Sequence, residues 1–368
     1  MTIVHRLRTA LLLLAALPAT ATAGGKLFVA TDGVDGPDCG SRAAPCRSIS
    51  QTIGRAPEGA TIVVGPGRYG PAEEQPPPGG CGDCLIEVAK RVTIVSLEGP
   101  GQTIVDAAGE RLHGVVIRAD GAAFGGKGRG FTVTGAGIGI AMRADGLRVE
   151  GNWVVRNDAA TQASAILAVG GARTLIRRNV VADNDAVGID LRLTDGYVVA
   201  DNRVSGHRSI GIRADEGGGE LTGNAVSSAE IGIRLRGDCD VVRNAVVASD
   251  GIGLVLDHGT AGVARYRVSR NTITGSRRQG VHVHEGEPSL IVTLTKNGVF
   301  GNGLRAPRNC GLLVEQQIAP GAVAVTRNFW GVASGPAASE PADDACDNAV
   351  AAGPFARKER PTRLESAR

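Results

Sequence analysis

Residues 188–204, GIDLRLTDGYVVADNRV, contain the two short frames that decide the fold. The stretch opens on Gly-Ile-x-Leu and closes on Val-x-x-Asn-x-Val. The closing frame, an Asn held between apolar residues, recurs with its Asn at Asn152, Asn179, Asn202, Asn224, Asn244, Asn271, Asn297 and Asn328. Successive asparagines are 20 to 31 residues apart, and a period in this range indicates stacked repeats.

The opening frame lies between these asparagines and begins at Gly139, Gly188, Gly211, Gly232, Gly253, Gly280 and Gly311. Its apolar residues alternate with period two, which predicts a strand. A leucine-rich repeat has a similar period, but it needs Leu at most frame positions and a helical or extended return segment. Here Val and Ile dominate and the return segment is a second Gly-rich strand pair. The sequence therefore favours an all-β solenoid, a parallel β-helix of about ten coils.

Stacked coils place equivalent residues about 4.8 Å apart. An Asn that points inward at a turn can then hydrogen-bond to the Asn of the next coil, so we expect the asparagines to form a structural ladder with no catalytic role. The position five residues before each Asn should also point inward. Cys239 has this position, and we expect it to be buried and unpaired.

Residues 1–23 have the pattern of a secretory signal peptide, with Arg6 and Arg8 ahead of a short apolar core, and Gly24 is the expected mature start. Of the 40 basic residues two lie in this leader, which leaves 38 against 37 acidic ones. This balance argues against a nucleic-acid partner, and no later apolar run has the length of a membrane span. We expect a secreted or periplasmic protein that acts as a monomer.

Seven cysteines in an exported chain suggest disulfides with one thiol left over. Apart from Cys239, they come in three pairs that are close in sequence or flank one repeat: Cys39 and Cys46, Cys81 and Cys84, and Cys310 and Cys346. The CGDC segment lacks the strand and helix that surround a thioredoxin-type redox motif. A structural role is therefore favoured for these cysteines, and the pairing of Cys81 and Cys84 stays open.

Residues 48–56, SISQTIGRA, have the pattern of a short amphipathic helix, and GATIVVGPGRY after them reads as a strand and a turn. A helix over the open end of the stack would protect its unpaired edge and its core. We therefore assign residues 24–353 to one β-helix domain that includes this cap and the last coil. Residues 354–368 form a polar tail without a pattern, which we expect to be disordered.

Taken together, NVVADNDAVGIDL and its sister segments resemble the repeats of the pectin-lyase-like superfamily. The segment 26–69 is similar to the N-terminal cap and first coil of exported bacterial members, and RNFWGVASGP, residues 327–336, is similar to the segment that often closes such stacks. The resemblance implies a right-handed parallel β-helix with three sheets. It transfers no reaction, because the Trp-Ile-Asp-His signature of pectate lyases and the Asn-Thr-Asp, paired-Asp and Gly-His-Gly motifs of polygalacturonases are missing.

Charged residues gather at the outward positions of the Gly-Ile-x-Leu frame, which are x and the residue two later. Coil by coil these pairs are Asp190 and Arg192, Arg213 and Asp215, Arg234 and Arg236, Val255 and Asp257, His282 and His284, and Leu313 and Glu315. The outward positions of the Asn frame are expected to be mixed and mostly uncharged. This contrast predicts a functional face in the middle of the stack.

The predicted function is a groove for an acidic, uronate-containing polysaccharide. Its arginines can pair with carboxylates, so the expected substrate-binding residues are Asp190, Arg192, Arg213, Arg234 and His282. In a lyase or epimerase a base removes the proton beside the uronate carboxylate while cations stabilise the enolate. The catalytic candidates are Asp215, Arg236, Asp257 and His284.

A glycoside hydrolase fits this face less well. Asp215 and Asp257 lie two coils apart, about 9.6 Å along the stack, at the upper end of the roughly 6.5–9.5 Å between the carboxyl groups of inverting enzymes. Arg236 lies between them. Two non-catalytic interpretations also stay open: a solvated face stabilised by cross-strand charge pairs, and a β-helix that binds a glycan or another surface partner.

A metal role is the weakest of these hypotheses, and no cofactor is certain, with Ca²⁺ as the candidate. Asp215, Asp257 and His284 are residue types that can hold Ca²⁺. The His-x-His pair of His282 and His284, with Asp257 and His258 nearby, could chelate Zn²⁺ or Cu²⁺, although such a pair alone is a weak signal.

Overall fold

The computed structural model shows a stack of short parallel strands with one helix among the described residues. The structure describes residues 24–74, 80–158, 164–258, 262–284, 290–303, 310–315, 318–319, 321–331, 345–346 and 356. Because each outward-facing frame residue is preceded and followed by buried apolar ones, every coil buries one alternate set of side chains. The predicted leader lies outside the described residues.

The first sheet has 12 strands, each paired in parallel with the equivalent strand of the next coil. These strands are β1 (Lys26–Val29), β2 (Thr61–Val64), β5 (Thr93–Ser96), β8 (Ala123–Gly125), β11 (Arg148–Glu150), β14 (Leu175–Arg177), β17 (Tyr197–Ala200), β19 (Gly219–Thr222), β21 (Cys239–Val242), β24 (Ala264–Ser269), β27 (Leu290–Thr295) and β30 (Val323–Thr326).

The other strands form two further sheets. These sheets share two long strands, β18 (Arg203–Asp215) and β20 (Ala225–Arg236), which bend from one sheet into the other. The second sheet contains β3 (Gly67–Tyr69), β6 (Thr103–Asp106), β9 (Thr132–Thr134), β12 (Trp153–Val155), β15 (Val180–Ala182), the first halves of β18 (Arg203–Asp215) and β20 (Ala225–Arg236), β22 (Ala245–Val247), β25 (Thr272–Thr274) and β28 (Gly298–Phe300).

The third sheet carries the predicted functional face. It contains β4 (Cys84–Val88), β7 (His113–Ile117), β10 (Ile138–Met142), β13 (Ser164–Val169), β16 (Val187–Arg192), the second halves of β18 and β20, β23 (Ile252–Asp257), β26 (Val281–Val283), β29 (Leu312–Val314) and β31 (Ala345–Cys346). The three parallel sheets confirm the predicted parallel β-helix, and their apolar inner faces join into one core that runs the length of the stack.

The predicted asparagine ladder is present. From Asn152 to Asn328, the side-chain Nδ2 of each asparagine donates to Oδ1 of the next one, at 2.9–3.2 Å. Each Oδ1 also accepts the backbone N–H of the asparagine before it. The ladder thus satisfies a buried column of amides.

A second set of turn residues, five positions after the ladder asparagines, was missed in the sequence. Asn157 donates to Asn184 Oδ1 at 3.0 Å, and Asn302 accepts the backbone N–H of Ser276 at 3.0 Å. In the coil after that of Asn184, His207 replaces Asn and its two ring nitrogens lie 3.2 and 3.3 Å from backbone carbonyls. The constant spacing from the first ladder was a signal that could have found it.

The predicted cap is the helix α1 (Ile49–Arg55), with Ser48 at its N-cap and Ala56 at its C-cap. Its apolar side, with Ile49 and Ile53 buried, packs against the core at the first coils. Ser48 Oγ accepts the N–H of Gln51, as expected for an N-cap serine. The helix therefore closes one end of the stack.

The cysteines follow the predicted structural roles. Disulfides join Cys39 to Cys46 and Cys81 to Cys84, and Cys310 is also disulfide-bonded. Cys239 is free and buried, and burial raises the pKa of its thiol to about 12. It is therefore an unreactive core residue.

Of residues 332–353, the C-terminal end of the predicted domain, the structure describes only Ala345–Cys346. Within the predicted tail, the one described residue, Ala356, donates its backbone N–H to the carbonyl of Asn328 at 3.0 Å. This is the bond that each coil makes to the ladder asparagine of the coil before it, so residue 356 lies against the last coil. In the part of the chain that the structure covers, the only helix is too short to traverse a bilayer.

Candidate functional site

The third sheet brings the predicted outward residues into two columns. In the first column, Asp190, Arg213, Arg234, Val255, His282 and Leu313 are successive register partners. In the second, Arg192, Asp215, Arg236 and Asp257 follow one another in the same way. The strand periodicity thus placed these residues on one face.

Asp190 is the centre of the lower half of this face. Its carboxylate is fully buried and accepts hydrogen bonds from Arg213 at 2.8 and 2.6 Å, from Arg192 at 2.7 Å and from Ser164 Oγ at 2.9 Å. Burial alone would raise the pKa of Asp190, but the two guanidiniums hold it below its ordinary value. A buried carboxylate cannot contact a polymer, so Asp190 positions the two arginines, and these present the accessible atoms.

Asp257 is the centre of the upper half. Its side chain is 3% exposed and pairs with Arg234, whose Nη2 lies 2.7 Å from Oδ2. On its other side, Asp257 Oδ1 lies 3.0 Å from Nδ1 of His284, an imidazole that is 48% exposed. The buried carboxylate therefore orients an accessible histidine through its Nδ1.

Glu315 extends this upper cluster by one coil. Its Oε1 lies 2.8 Å from Nε2 of His282 and 3.8 Å from Nε2 of His284. Burial lowers the pKa of His282, and Glu315 opposes this only in part. His282 is therefore mostly neutral at neutral pH.

Asp215 and Arg236 lie between the two clusters and hold orphaned polar atoms. Asp215 Oδ1 and Arg236 Nε are buried and have no hydrogen-bond partner among the described residues. Asp215 is held only by Arg213 Nε at 3.4 Å, and Arg236 only by a 4.0 Å approach to Asp257. An unsatisfied buried polar atom costs about 1–3 kcal/mol, and each of these two side chains bears that cost.

An open cleft of about 580 Å³ lies against the lower cluster. It is lined by Arg192, Arg213 and Asp215 from the predicted face. Asp185 and Arg208, an ion pair at 3.0 Å on the bend between the second and third sheets, line its other side. The cleft thus combines three guanidiniums with two carboxylates, which suits a hydroxylated anion.

Sequence reasoning missed four contributors: Ser164, Asp185, Arg208 and Glu315 as a partner of both histidines. Ser164 is the first residue of β13, Asp185 lies just before β16, and Arg208 lies on the bend of β18. Glu315 lies at a predicted outward position of this face, but no role was predicted for it. Only its position after the His-x-His coil was a signal.

The expected contrast with the first sheet holds only in part. The register places Arg148, Glu150 and Arg177 outward on that sheet, and Glu150 is buried beneath Arg177 and Arg178, each at 3.0 Å. Asp240 and Arg267 also pair there, at 2.7 Å. Charge density alone therefore does not single out the third sheet. What distinguishes it is the exposed imidazole and the cleft.

A transition-metal site on this face has no support from the geometry of the described residues. Among all described residues, the one group of three metal-ligating side chains is Asp35 with Cys39 and Cys46, which lies near the N-terminus and not on this face. The two cysteine sulfurs of that group are bonded to each other. His282 and His284 both lie next to Glu315, and His284 is also paired with Asp257.

Comparisons with known proteins agree with the architecture. A family model described as the right handed beta helix region matches residues 113–297. The crystal structure of pectate lyase Pel9A superimposes with a TM-score of 0.53 at 15% identity, over 86% of this chain and 82% of that one. A rhamnogalacturonan lyase aligns with a TM-score of 0.47 at 11% identity, over 83% and 87%. The search of curated proteins found no match.

Proposed function

Because this chain belongs to the right-handed β-helix family, we propose that it is an exported carbohydrate-active protein that acts on uronate-containing polysaccharide as a lyase or epimerase. The observation that carries the proposal is the His284 imidazole, held by the buried Asp257 carboxylate on a face of guanidiniums. The fold shared with a pectate lyase is compatible with this function, whereas the side chains of the third sheet carry the argument.

His284 is the proposed base. Asp257 accepts from Nδ1–H, which leaves the lone pair on Nε2, the nitrogen that lies 3.8 Å from Glu315 Oε1. A carboxylate that fixes the tautomer in this way also stabilises the imidazolium that forms when Nε2 takes a proton. Nε2 can therefore remove the proton on the sugar carbon beside the uronate carboxylate.

The arginines supply the positive charge that this step requires. Proton removal converts the uronate to an enolate with two negative oxygens, and preformed cations stabilise that charge. Arg234 and Arg236 are about one-third exposed and lie next to Asp257 in the stack. Arg192 and Arg213, fixed by Asp190 beside the cleft, are placed to hold a neighbouring carboxylate of the same polymer.

From the enolate the two reactions diverge. In the lyase the enolate expels the oxygen of the adjacent glycosidic bond and leaves an unsaturated sugar. In the epimerase a proton returns from the opposite face. Hydrolysis fits less well, because Asp257 is engaged by Arg234 and His284, so it is not a proton donor. Its partner carboxylate, Asp215, lies on the far side of Arg236.

A non-catalytic glycan-binding protein is the second candidate. The observation in its favour is that Asp190 is satisfied by Arg192, Arg213 and Ser164, as a purely structural charge network would be. Such a face would still bind carboxylates through its arginines. It would release no product.

Both candidates place the protein outside the cytoplasm. The disulfides Cys39–Cys46 and Cys81–Cys84 support this location, because such bonds persist in oxidising compartments. The signal-peptide pattern of residues 1–23 supports it independently.

The test compares H284Q with the matched control H113Q on a panel of polygalacturonate, alginate and other polyuronates. His113 lies on the same sheet in β7, away from the cluster. We expect the wild type to form unsaturated or epimerised product, H284Q to lose about 10²–10⁴-fold in kcat with binding retained, and H113Q to keep its activity. Ultraviolet absorbance reports the unsaturated product, and proton NMR reports the epimer.

Three outcomes would count against the assignment. Full activity in H284Q would remove the proposed base. Equal loss in both variants would indicate a structural effect. Binding of polyuronate by the wild type without any product would establish the non-catalytic alternative.

A further inference from the structure

A second charged column lies at the corner between the first and second sheets, away from the candidate site. It consists of the residue just before each ladder asparagine, and we name it the corner column: Gly151, Arg178, Asp201, Gly223, Arg243, Arg270, Lys296 and Arg327. All eight have left-handed backbone, with φ between 55° and 69°. Its backbone N–H groups donate to the next coil, for example Arg243 to Ser269 and Lys296 to Thr326, so the column is regularly stacked.

The last four members, Arg243, Arg270, Lys296 and Arg327, are all basic, and we name them the basic segment. Left-handed backbone is unfavourable for residues other than Gly, Asn and Asp, and the lower coils use Gly151, Asp201 and Gly223. Like charges stacked on neighbouring coils also repel. The chain therefore accepts both a conformational and an electrostatic cost in four consecutive coils.

Three of these cations, Arg243, Lys296 and Arg327, are available to a ligand. Arg243, Arg270 and Arg327 are exposed and Lys296 is half-exposed. Within the described part of the chain, Arg243, Lys296 and Arg327 form no ion pair, whereas Arg178, lower in the column, is bound to Glu150. Asp201, whose carboxylate leans over Gly223, marks the lower end of the basic segment.

The geometry fits a linear polymer with widely spaced negative charges. Coils repeat at about 4.8 Å, so the four cations span about 14 Å in a single row.

The first-sheet flank of the basic segment favours a polysaccharide. Half-exposed outward side chains beside the segment include Ser269, Thr295 and Thr326. Their hydroxyls can hydrogen-bond to sugar hydroxyls.

We propose that the basic segment is a second binding site, which holds a linear acidic polysaccharide along the corner of the stack. Guanidinium and ammonium groups pair with successive carboxylates, and the neighbouring hydroxyls contact the sugars. The site anchors the polymer and takes no part in turnover, so it does not depend on the proposed catalytic activity.

The test uses the full mature chain and a pair of matched variants, R243N/R327N and R156N/R173N. All four arginines are exposed and left-handed, but Arg156 and Arg173 lie at other turns. Asn tolerates this backbone, so both variants should fold. We expect R243N/R327N to bind polygalacturonate about five- to thirtyfold more weakly, as for two exposed charge pairs. The control variant and R243K/R327K should bind as the wild type does.

The outcomes separate this proposal from its rivals. Unchanged affinity in R243N/R327N, or equal loss in both Asn variants, overturns it. Loss of binding to phosphatidylglycerol vesicles or duplex DNA with unchanged polygalacturonate affinity also overturns it and assigns the corner to that partner. H284Q should keep the corner-dependent binding, so failure of the proposed catalytic function leaves this result unaffected.

Discussion

At the residue scale, the charged face shows how an outward strand position can become buried. Asp190 and Asp257 point away from the core, yet arginines from their own and neighbouring coils fold over them. Each carboxylate then depends on its guanidinium partners, because an unpaired buried charge is strongly unfavourable. The acids therefore organise the face, and the arginines and His284 present it.

The Asp190 network predicts a pH-dependent contribution to stability. D190N should lower the free energy of unfolding by about 3–5 kcal/mol at neutral pH, because Arg213 would lose its buried partner. The pKa of Asp190 in the folded protein is lowered, so this contribution is present above the ordinary carboxyl pKa of about 4 and is lost as the pH falls through the lower folded value. Urea unfolding at neutral and strongly acidic pH measures the difference.

D215N is the control for this prediction. Asp215 contacts the same Arg213, at 3.4 Å, but its side chain is 27% exposed, so its loss should cost less than about 1 kcal/mol. The assignment would be contradicted if D190N lost as much free energy of unfolding in acid as at neutral pH. It would also be contradicted if D190N lost no more than D215N.

At the scale of one element, the helix α1 depends on a residue far from it in sequence. Glu74 is buried, and its carboxylate accepts from Ser48 Oγ at 3.0 Å and from the backbone N–H groups of Ile49 and Ser50, each at 2.8 Å. These are the free N–H groups of the first turn. The segment after β3 thus holds the cap in place over the core.

Truncation of Glu74 should loosen this cap. E74A should destabilise the protein by about 1–3 kcal/mol, because it leaves buried N–H groups without an acceptor. The neighbouring E73A removes only a bond to the Gly70 N–H and a 3.7 Å approach to Arg47, so it should cost less. Thermal unfolding midpoints of both variants measure this, and equal shifts would show that Glu74 has no special role.

At the scale of the whole molecule, the protein is a modular stack. Each coil contacts mainly its neighbours through parallel pairing and the asparagine ladder. In such solenoids stability is close to a sum of coil and interface contributions. The functional face, in contrast, needs several coils at once, since its clusters run from Ser164 to Glu315.

Deletion of one whole coil should therefore separate fold from function. Removal of residues 225–244 joins Asn224 to Ala245, which keeps the spacing of the ladder and the strand register. We expect a folded protein whose circular dichroism spectrum keeps the shape of the wild-type spectrum. It should have no polyuronate activity, because Arg234 and Arg236 are lost.

Removal of only residues 225–234 is the matched deletion. It breaks the register and should prevent cooperative folding. If both deletions fold equally well, or if neither folds, the coils are not the independent units that the pairing indicates.

Much of the fold could be predicted, because the periodicities that specify it are local. The ladder, the buried Cys239 and the columns of the third sheet follow from strand alternation and a fixed offset from each Asn. The capping helix follows from the amphipathic pattern of residues 48–56. The site was predictable only as a set of positions. Glu315 and His282 are 33 residues apart in sequence, and no local pattern indicates that they touch.

The sequence by itself thus determined the repeat, the register and the face on which each side chain lies, because backbone alternation leaves only two faces. Only the tertiary structure decided which carboxylates are buried, which imidazole is exposed and where the cleft lies. These properties depend on the way in which long side chains from adjacent coils pack over one another. They also depend on where the bends of β18 and β20 place Asp185 and Arg208.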